Sequence, residues 1–278
     1  MGRIPFRKMH GLGNDFVVLD RRDGGAAIAP AAARLLADRH LGIGCDQVIV
    51  IEQPRDRAAR AFMRILNADG SDAEACGNAT RCVAALLAAE SGEVRLRIET
   101  VAGLLAAEAL PDGRVSVDMG MVRTDWREIP LARAMDTAHV DLALGPLADP
   151  VCTNIGNPHA TFFVADAEAV ELATLGPALE HDALFPERAN IGVASIAGHD
   201  AIRLRVWERG VGLTLACGSG ACAALVAAHR RGLTGRAATI AVDGGTLGIE
   251  WRDDGHVVMT GSSTLVFEGS FDAALLAG

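Results

Sequence analysis

The chain has 278 residues, of which 50% are hydrophobic and 22% are charged, and its formal net charge is −9 at pH 7. A composition this apolar supports a sizeable core, and the length is that of about two ordinary domains. The negative charge argues against nucleic acid or an anionic membrane as the main partner, but a local site can still bind a small anion.

Signals for export, membrane insertion and cross-linking are weak. Residues 1–20 carry several charges and lack the apolar segment of a secretory signal, and the most apolar stretch, 213–229, is short and interrupted by glycine. Six cysteines are too sparse for a disulfide scaffold, and their spacing disfavours a zinc site. We therefore expect a cytoplasmic protein with reduced thiols and no bound metal.

The first half of the chain predicts a series of strands and one long helix. Strands are predicted at 6–9 and 16–20, around a glycine-rich loop, with a helix from Pro30 to about Arg39. The elements that follow are strands 48–51 and 61–66, an alanine-rich helix 77–89, and strands 94–100, 104–109 and 115–119.

The second half repeats this order after a crossover that begins near residue 125. The predicted elements are strand 161–164, helix 170–179, strands 191–196 and 202–207, helix 218–231, and strands 238–242, 247–251 and 256–259. The last strand, 264–268, has no counterpart in the second copy, and we expect it to return to the first.

Cys76 and Cys217 mark an internal repeat. Each cysteine directly precedes a glycine at the start of an alanine-rich helix, and the two lie 141 positions apart. Other pairs keep nearly the same separation: Asn67 and Glu208 at 141, Asn14 and Asn157 at 143, and Gly103 and Gly245 at 142. A near-constant offset over this span predicts two copies of one domain.

We expect an α+β fold with two domains related by a pseudo-two-fold axis. Each domain is predicted to be a curved, mostly antiparallel sheet wrapped around a central helix. The predicted boundaries are 1–120, together with a return strand in 264–278, for the first domain and 121–263 for the second. Such symmetry would bring Cys76 and Cys217 face to face across a cleft.

The two cysteines are candidate acid/base groups. Unpaired N–H groups and the positive dipole end at a helix N-terminus lower the pKa of a nearby thiol, so we expect reactive thiols at Cys76 and Cys217. A thiolate on one face of an amino acid could remove the Cα proton, while a thiol on the other face returns one. The N–H groups that begin the two helices would stabilise the carboxylate of the resulting carbanion.

Other chemistries fit the residues less well. Pyridoxal phosphate needs a Schiff-base lysine, and the single lysine, Lys8, has no phosphate-binding loop nearby. A dinucleotide-binding glycine motif in the right context is also missing. The remaining four cysteines are interpreted as small buried hydrophobic residues: Cys45, Cys82, Cys152 and Cys222.

Several polar candidates also have an ordinary structural interpretation. Asn14 and Asn157 suit turns, although their mirrored placement favours a site. His159 is compatible with a satisfied buried residue or with a group that tunes a thiol. Glu208 beside Arg209 is compatible with a surface ion pair, but its position nine residues before Cys217 favours a role in the site.

The residues around both cysteines resemble the signatures of the diaminopimelate epimerase family. The matching stretches are 67–82 and 208–222, and 10–16, 156–159 and Asn190 fit the same family. The resemblance implies a cofactor-independent, two-base epimerase that interconverts LL- and meso-diaminopimelate in lysine and peptidoglycan-precursor synthesis. It also implies a homodimer whose two-domain subunits close over the substrate.

The resemblance further implies a role for each matching position. Cys76 and Cys217 would be the acid/base pair, and His159 and Glu208 would tune their pKa values. The positions implied to bind substrate are Asn14, Gln47, Asn67, Gly77, Asn78, Asn157, Asn190, Glu208, Arg209, Gly218 and Ser219.

Two other functions stay open on the residues alone. A proline- or hydroxyproline-racemase-like enzyme would use the same pair of thiols on a substrate without a second zwitterionic end. A thiol redox or ligand-binding protein would instead join the two cysteines in a disulfide.

Overall fold

The computed structural model describes residues 2–25, 27–74 and 76–276. The chain divides into two compact units, Met1–Val117 with Gly261–Gly278 and Asp118–Thr260. Residues 1, 26, 75, 277 and 278 belong to the predicted domains and return strand but lie outside the described residues.

The first unit is a mostly antiparallel sheet with two helices. Its elements are β1 (Arg3–Gly11), β2 (Asn14–Asp20), α1 (Pro30–Ala37), β3 (Gln47–Glu52), β4 (Ala61–Asn67), β5 (Asp72–Ala73), α2 (Gly77–Ser91), β6 (Arg95–Thr100), β7 (Gly103–Ala109) and β8 (Val115–Met121). The last residues of β8 belong to the second unit. Pairing is parallel between β2 and β3 and between β4 and β6, and antiparallel in the hairpins.

α2 is the central helix of the first unit. It packs against β1, β6 and β7, and every residue from 77 to 84 is buried. The helix ends at Gly92, which adopts the left-handed conformation (φ 74°) that favours glycine at this position.

The second unit repeats the arrangement. Its elements are β9 (Ala143–Leu144), β10 (Leu147–Ala148), β11 (Val151–Asn154), β12 (Pro158–Phe163), α3 (Leu172–Glu180), β13 (Asn190–Gly198), β14 (Ala201–Glu208), β15 (Gly212–Thr214), α4 (Gly218–Arg230), β16 (Ala237–Val242), β17 (Gly245–Trp251) and β18 (His256–Gly261). α4 is the counterpart of α2, and every residue from 220 to 228 is buried against the surrounding strands.

The last strand, β19 (Thr264–Asp272), belongs to the first unit and leads into a short 3-10 helix, Ala273–Leu276. It pairs antiparallel with β1, from Arg3 opposite Asp272 to His10 opposite Thr264. This is the pairing expected of a strand that returns to the first copy.

The long elements lie where the sequence predicted them, within a few residues at each end. Five strands of two to four residues were not predicted, namely β5, β9, β10, β11 and β15. Strands this short do not show a measurable hydrophobic period. In the part of the chain that the structure describes, no helix combines the length and apolarity that crossing a bilayer requires.

Candidate active site

Cys76 lies at the N-terminus of α2, in extended conformation directly before Gly77. Its carbonyl accepts hydrogen bonds from the backbone N and the Oγ1 of Thr80, both at 2.9 Å. These bonds fix the first turn of the helix, while the partly exposed thiol points to the β1–β2 hairpin. There Cys76 Sγ donates to Asn14 Oδ1 at 3.8 Å.

Asn78 joins Cys76 and Asn14 in one polar group. Asn78 is buried, and its Nδ2 donates to Asn14 Oδ1 at 3.2 Å. The structure therefore brings together three of the residues that the sequence assigned to the site.

Gln47 and Asn67 form a second polar group at the adjacent strand ends. β2 and β3 are parallel, and Phe16 lies opposite Gln47. Gln47, at the start of β3, therefore lies at the same edge of the sheet as Asn14, at the start of β2. Gln47 Nε2 donates to Asn67 Oδ1 at 2.9 Å, and Asn67 Nδ2 donates to Ser71 Oγ at 3.0 Å.

This second group leaves an acceptor without a donor. Ser71 Oγ donates to Asp69 at 2.6 Å, and because a carboxylate only accepts, Ser71 must accept from Asn67. Asn67 therefore turns its nitrogen to Ser71 and its oxygen to Gln47, so Gln47 must donate through Nε2. The buried Oε1 of Gln47 then has no hydrogen-bond partner among the described residues. An ammonium group would satisfy that oxygen.

Cys217 lies at the N-terminus of α4 and is buried, with 4% of its surface exposed. Its sulfur accepts from the backbone N of Gly220 at 3.4 Å and lies 3.7 Å from Ser219 Oγ. The thiol is thus directed toward the first turn of its own helix.

The sequence predicted a lowered pKa at both cysteines, and for Cys217 this is wrong. Burial raises the pKa of the Cys217 thiol well above its ordinary value, and the charge of the Glu208 carboxylate raises it further. Hydrogen bonds from Ser219 and Gly220 act in the opposite direction but do not compensate. Cys217 therefore holds its proton at neutral pH.

Glu208 reaches this position from the end of β14. The short strand β15 pairs beside it, and Thr214 Oγ1 donates to Glu208 Oε1. The sequence did not predict a role for Thr214, although it lies between Glu208 and Cys217. The reason is that β15, which places Thr214 beside Glu208, was not predicted.

His159 is a neutral partner of the residues around Cys217. It is fully buried, and burial together with the positive charge of Arg209 lowers its pKa to about 3. Its Nε2 lies 2.8 Å from Asn157 Oδ1 and 3.0 Å from Ser219 Oγ. The imidazole is linked to Cys217 through the Ser219 hydroxyl, which lies near both.

Asn190 and Arg209 connect three segments of the second unit. Asn190 Nδ2 donates to the carbonyl of Pro158 at 2.9 Å, and its Oδ1 accepts from the backbone N of Arg209 at 3.0 Å. The Arg209 guanidinium donates to the carbonyl of Glu187 at 3.0 Å. Asn190 is buried, and its side-chain amide joins the backbone of Pro158 to that of Arg209. The sequence did not predict this structural role.

The remaining cysteines agree with their interpretation as buried hydrophobic residues. Burial raises the pKa of the Cys45 thiol to about 11 and those of Cys82 and Cys152 to about 12. Cys222 is buried within α4.

The family model described as diaminopimelate epimerase matches residues 6–124 and 151–266. The chain belongs to the diaminopimelate epimerase family. It is 64% identical over 273 residues to a diaminopimelate epimerase of Acidiphilium cryptum, with 98% of each chain covered. A diaminopimelate epimerase of Rhodospirillum centenum is 60% identical and covers 98% of this chain and 94% of its own.

Solved structures share the fold at low sequence identity. A probable proline racemase of Agrobacterium radiobacter matches with a TM-score of 0.72 and 18% identity, over 97% of this chain and 93% of its own. A hydroxyproline epimerase of Agrobacterium vitis matches with a TM-score of 0.68 and 16% identity, over 98% and 93%. The predicted family and the predicted α+β fold class are confirmed.

Proposed function

We propose that this protein interconverts LL- and meso-diaminopimelate without a cofactor, with Cys76 and Cys217 as the two acid/base groups. The observation that carries the proposal is the equivalent placement of the two thiols, each directly before the first turn of a buried helix, in a member of the diaminopimelate epimerase family. The high identity to relatives named for this activity favours it over a proline-racemase-like activity.

The reaction moves one proton in and one proton out. A thiolate takes the Cα proton from one face of the substrate, and a thiol on the opposite face gives its proton to Cα, so that the centre is inverted. In the direction that begins with Cys217 protonated, Cys76 is the base and Cys217 is the acid. The reverse direction exchanges the two roles.

The carbanion between these steps needs stabilisation that the thiols do not supply. Its charge spreads onto the α-carboxylate, for which the N–H groups of Gly77 and Asn78 and those of Gly218 and Ser219 are suitable donors. Helix N-termini favour negative charge, and burial strengthens such interactions.

Glu208 has two uses in this scheme. Burial raises the pKa of the Cys217 thiol, and the Glu208 carboxylate raises it further and so helps to keep Cys217 protonated. The same carboxylate is a suitable partner for the α-ammonium of the substrate. His159, which is neutral, would act on Cys217 through Ser219 without adding a charge.

The second amino-acid end of diaminopimelate needs its own partners. The unsatisfied Oε1 of Gln47, held by Asn67, suits the distal ammonium. Arg209 suits the distal carboxylate because a guanidinium binds carboxylates with paired hydrogen bonds. Asn190 accepts from the backbone N of Arg209 and donates to the carbonyl of Pro158, the residue that follows Asn157.

We also propose that the protein is a cytoplasmic homodimer. All six cysteines are free, which supports a reducing compartment. Three consecutive apolar residues of β19, Leu265, Val266 and Phe267, are about half exposed, and a strip of this kind is typical of a subunit contact. Sedimentation equilibrium would show a monomer at all concentrations if the dimer proposal were wrong.

The activity is tested by hydrogen exchange in deuterated water. Diaminopimelate should gain deuterium at Cα with inversion, while proline and hydroxyproline should gain none. Exchange into proline but not diaminopimelate would support the racemase-like alternative instead.

The two-thiol mechanism is tested by Cys217→Ala. Circular dichroism should show a folded protein, and kcat should fall by about 10²–10⁴, the usual contribution of one acid–base group. Epimerisation at the normal rate would refute the mechanism and leave the redox or binding alternative.

A further inference from the structure

The side chains next to Cys76 form one continuous hydrogen-bonded chain within the first unit. Asn14 Nδ2 donates to Asp46 Oδ2 at 2.9 Å, and Asn78 Nδ2 donates to Asn14 Oδ1 at 3.2 Å. At the other end, Arg81 Nη2 donates to Asn78 Oδ1 at 3.0 Å. Cys76 Sγ donates to the same Asn14 oxygen at 3.8 Å.

The two ends of this chain decide how both amides are oriented. The oxygen and nitrogen of an asparagine amide have nearly the same shape, so only their partners distinguish them. A carboxylate can only accept and a guanidinium can only donate. The nitrogen of Asn14 must therefore face Asp46, and its oxygen must face Asn78 and Cys76.

Both ends are themselves held in place. Asp46 accepts from Arg39 Nη2 at 2.8 Å and from the backbone N of Asp15 at 3.1 Å. Arg81 is fully buried, and its Nε donates to the carbonyl of Ser262 at 3.2 Å. Packing is also tight there, since a Cβ added to Gly11 would lie 2.9 Å from Arg81 Nη2.

We propose that Asp46 is a positioning residue for Cys76, because it accepts from the Asn14 nitrogen and, together with Asn78 at the other side, keeps the Asn14 oxygen facing the thiol. An oxygen in this place stabilises the S–H form of Cys76, whereas an NH₂ group there would stabilise the thiolate. Asp46 thus influences how readily Cys76 accepts and keeps the transferred proton. The catalytic meaning rests on the proposed function, but the orientation itself does not.

The test measures alkylation of Cys76 by iodoacetamide as a function of pH, quantified by peptide mass spectrometry. Cys76 is suitable because it is partly exposed, whereas the five other cysteines are buried. In Asp46→Asn the Asn14 amide loses the carboxylate that holds its nitrogen, and only Asn78 then opposes its turning. If Asp46 is the deciding partner, the pH of half-maximal alkylation should fall by up to about 0.5 to 1, the range for the loss of one ordinary hydrogen bond. No fall in the folded variant would overturn the proposal.

Loss of the Asp46 charge alone could also lower this pH, so the measurement is repeated in an Asn14→Ala background. If Asp46 acts by orienting Asn14, adding Asp46→Asn there should produce no further fall. An equal fall in both backgrounds would show a simple charge effect and overturn the proposal. Asp112→Asn is the matched control, because Asp112 is a half-exposed aspartate of the same unit that also pairs with an arginine.

A second measurement covers the case in which Asp46→Asn does not fold. Neutron diffraction from crystals of the unmodified protein locates the deuterium atoms on Asn14 directly. Deuterium on the amide atom that faces Asp46 supports the proposal, and deuterium on the atom that faces Cys76 overturns it. Neither readout needs epimerase activity, so failure of the proposed function and failure of this inference are distinguishable.

Discussion

Cys76 and Cys217 begin equivalent helices, but their surroundings differ. Cys76 is partly exposed and its sulfur donates to an amide oxygen in a neighbouring hairpin. Cys217 is buried, accepts from an N–H group of its own helix, and lies near the charge of Glu208. The repeat therefore reproduces the backbone position of the thiol, while side chains from other elements set its affinity for a proton.

The third residue of each helix shows the difference most directly. Gly220 in α4 lies close to Cys217, because an added Cβ would be 3.2 Å from Sγ and 3.0 Å from Val206 Cγ2. The equivalent residue of α2 is Ala79, whose methyl group is accommodated and fully buried. Only the second unit thus needs glycine at this position.

Among substitutions that leave both thiols in place, Gly220→Ala should have the largest effect on kcat. The new methyl group would displace the Cys217 sulfur by a few tenths of an ångström. Because misplacement of a reacting group by about 1 Å commonly costs about 10² in rate, we expect kcat to fall by up to about 10-fold. Steady-state kinetics should show this loss in kcat, with far-ultraviolet circular dichroism as the check on folding. A folded variant with normal kcat would mean that the position of Cys217 tolerates displacement.

His159→Gln should change the pH dependence of stability. The folded-state pKa of His159, about 3, lies below the ordinary value of 6.5. Below pH 6.5 the unfolded chain takes up a proton that the folded protein does not, so stability is complete above this pH and falls as the pH decreases.

The His159 contribution should be about 2 kcal/mol between about pH 7.5 and pH 5. Urea unfolding at both pH values measures how far the free energy of unfolding falls when the pH is lowered. This fall should be smaller in His159→Gln than in the unmodified protein, by about 2 kcal/mol. His40→Gln, at an exposed histidine, is the control and should keep the original dependence. Equal dependence in both variants would contradict a neutral buried His159.

Glu208→Gln should alter the proton affinity of Cys217. Without the carboxylate charge, the pKa of the Cys217 thiol should fall by about 1, the lower range for a nearby like charge. The pH above which kcat/KM declines, through loss of the acid, should move down by the same amount. Thr214→Val keeps the carboxylate and should move this limb less; an unchanged profile in Glu208→Gln would contradict the assignment.

Ala79→Gly should have the smallest effect. Removing a methyl group from a helix costs about 0.5–1 kcal/mol of stability, and Cys76 does not depend on this position for its orientation. Urea unfolding should show the small loss, while kcat should remain close to that of the unmodified protein. A large fall in kcat would mean that the first turns of α2 and α4 are less different than the structure indicates.

The sequence was sufficient for the elements that carry the thiols, because a cysteine-glycine pair followed by alanines is a local signal. It was also sufficient for the fold class, because the repeat offset spans both halves. The pKa direction of Cys217 was not predictable, since burial and the approach of Glu208 arise from tertiary structure. Asp46 was missed for the same reason: its partner Asn14 is 32 residues away.

The pairing of β1 with β19 has a consequence for synthesis on the ribosome. The second unit is continuous in sequence, so its strands can all pair once residue 260 has emerged. The first unit must wait for the last strand, which also brings the Ser262 carbonyl to Arg81. Although Cys76 is translated 141 residues before Cys217, its surroundings are the last to be completed.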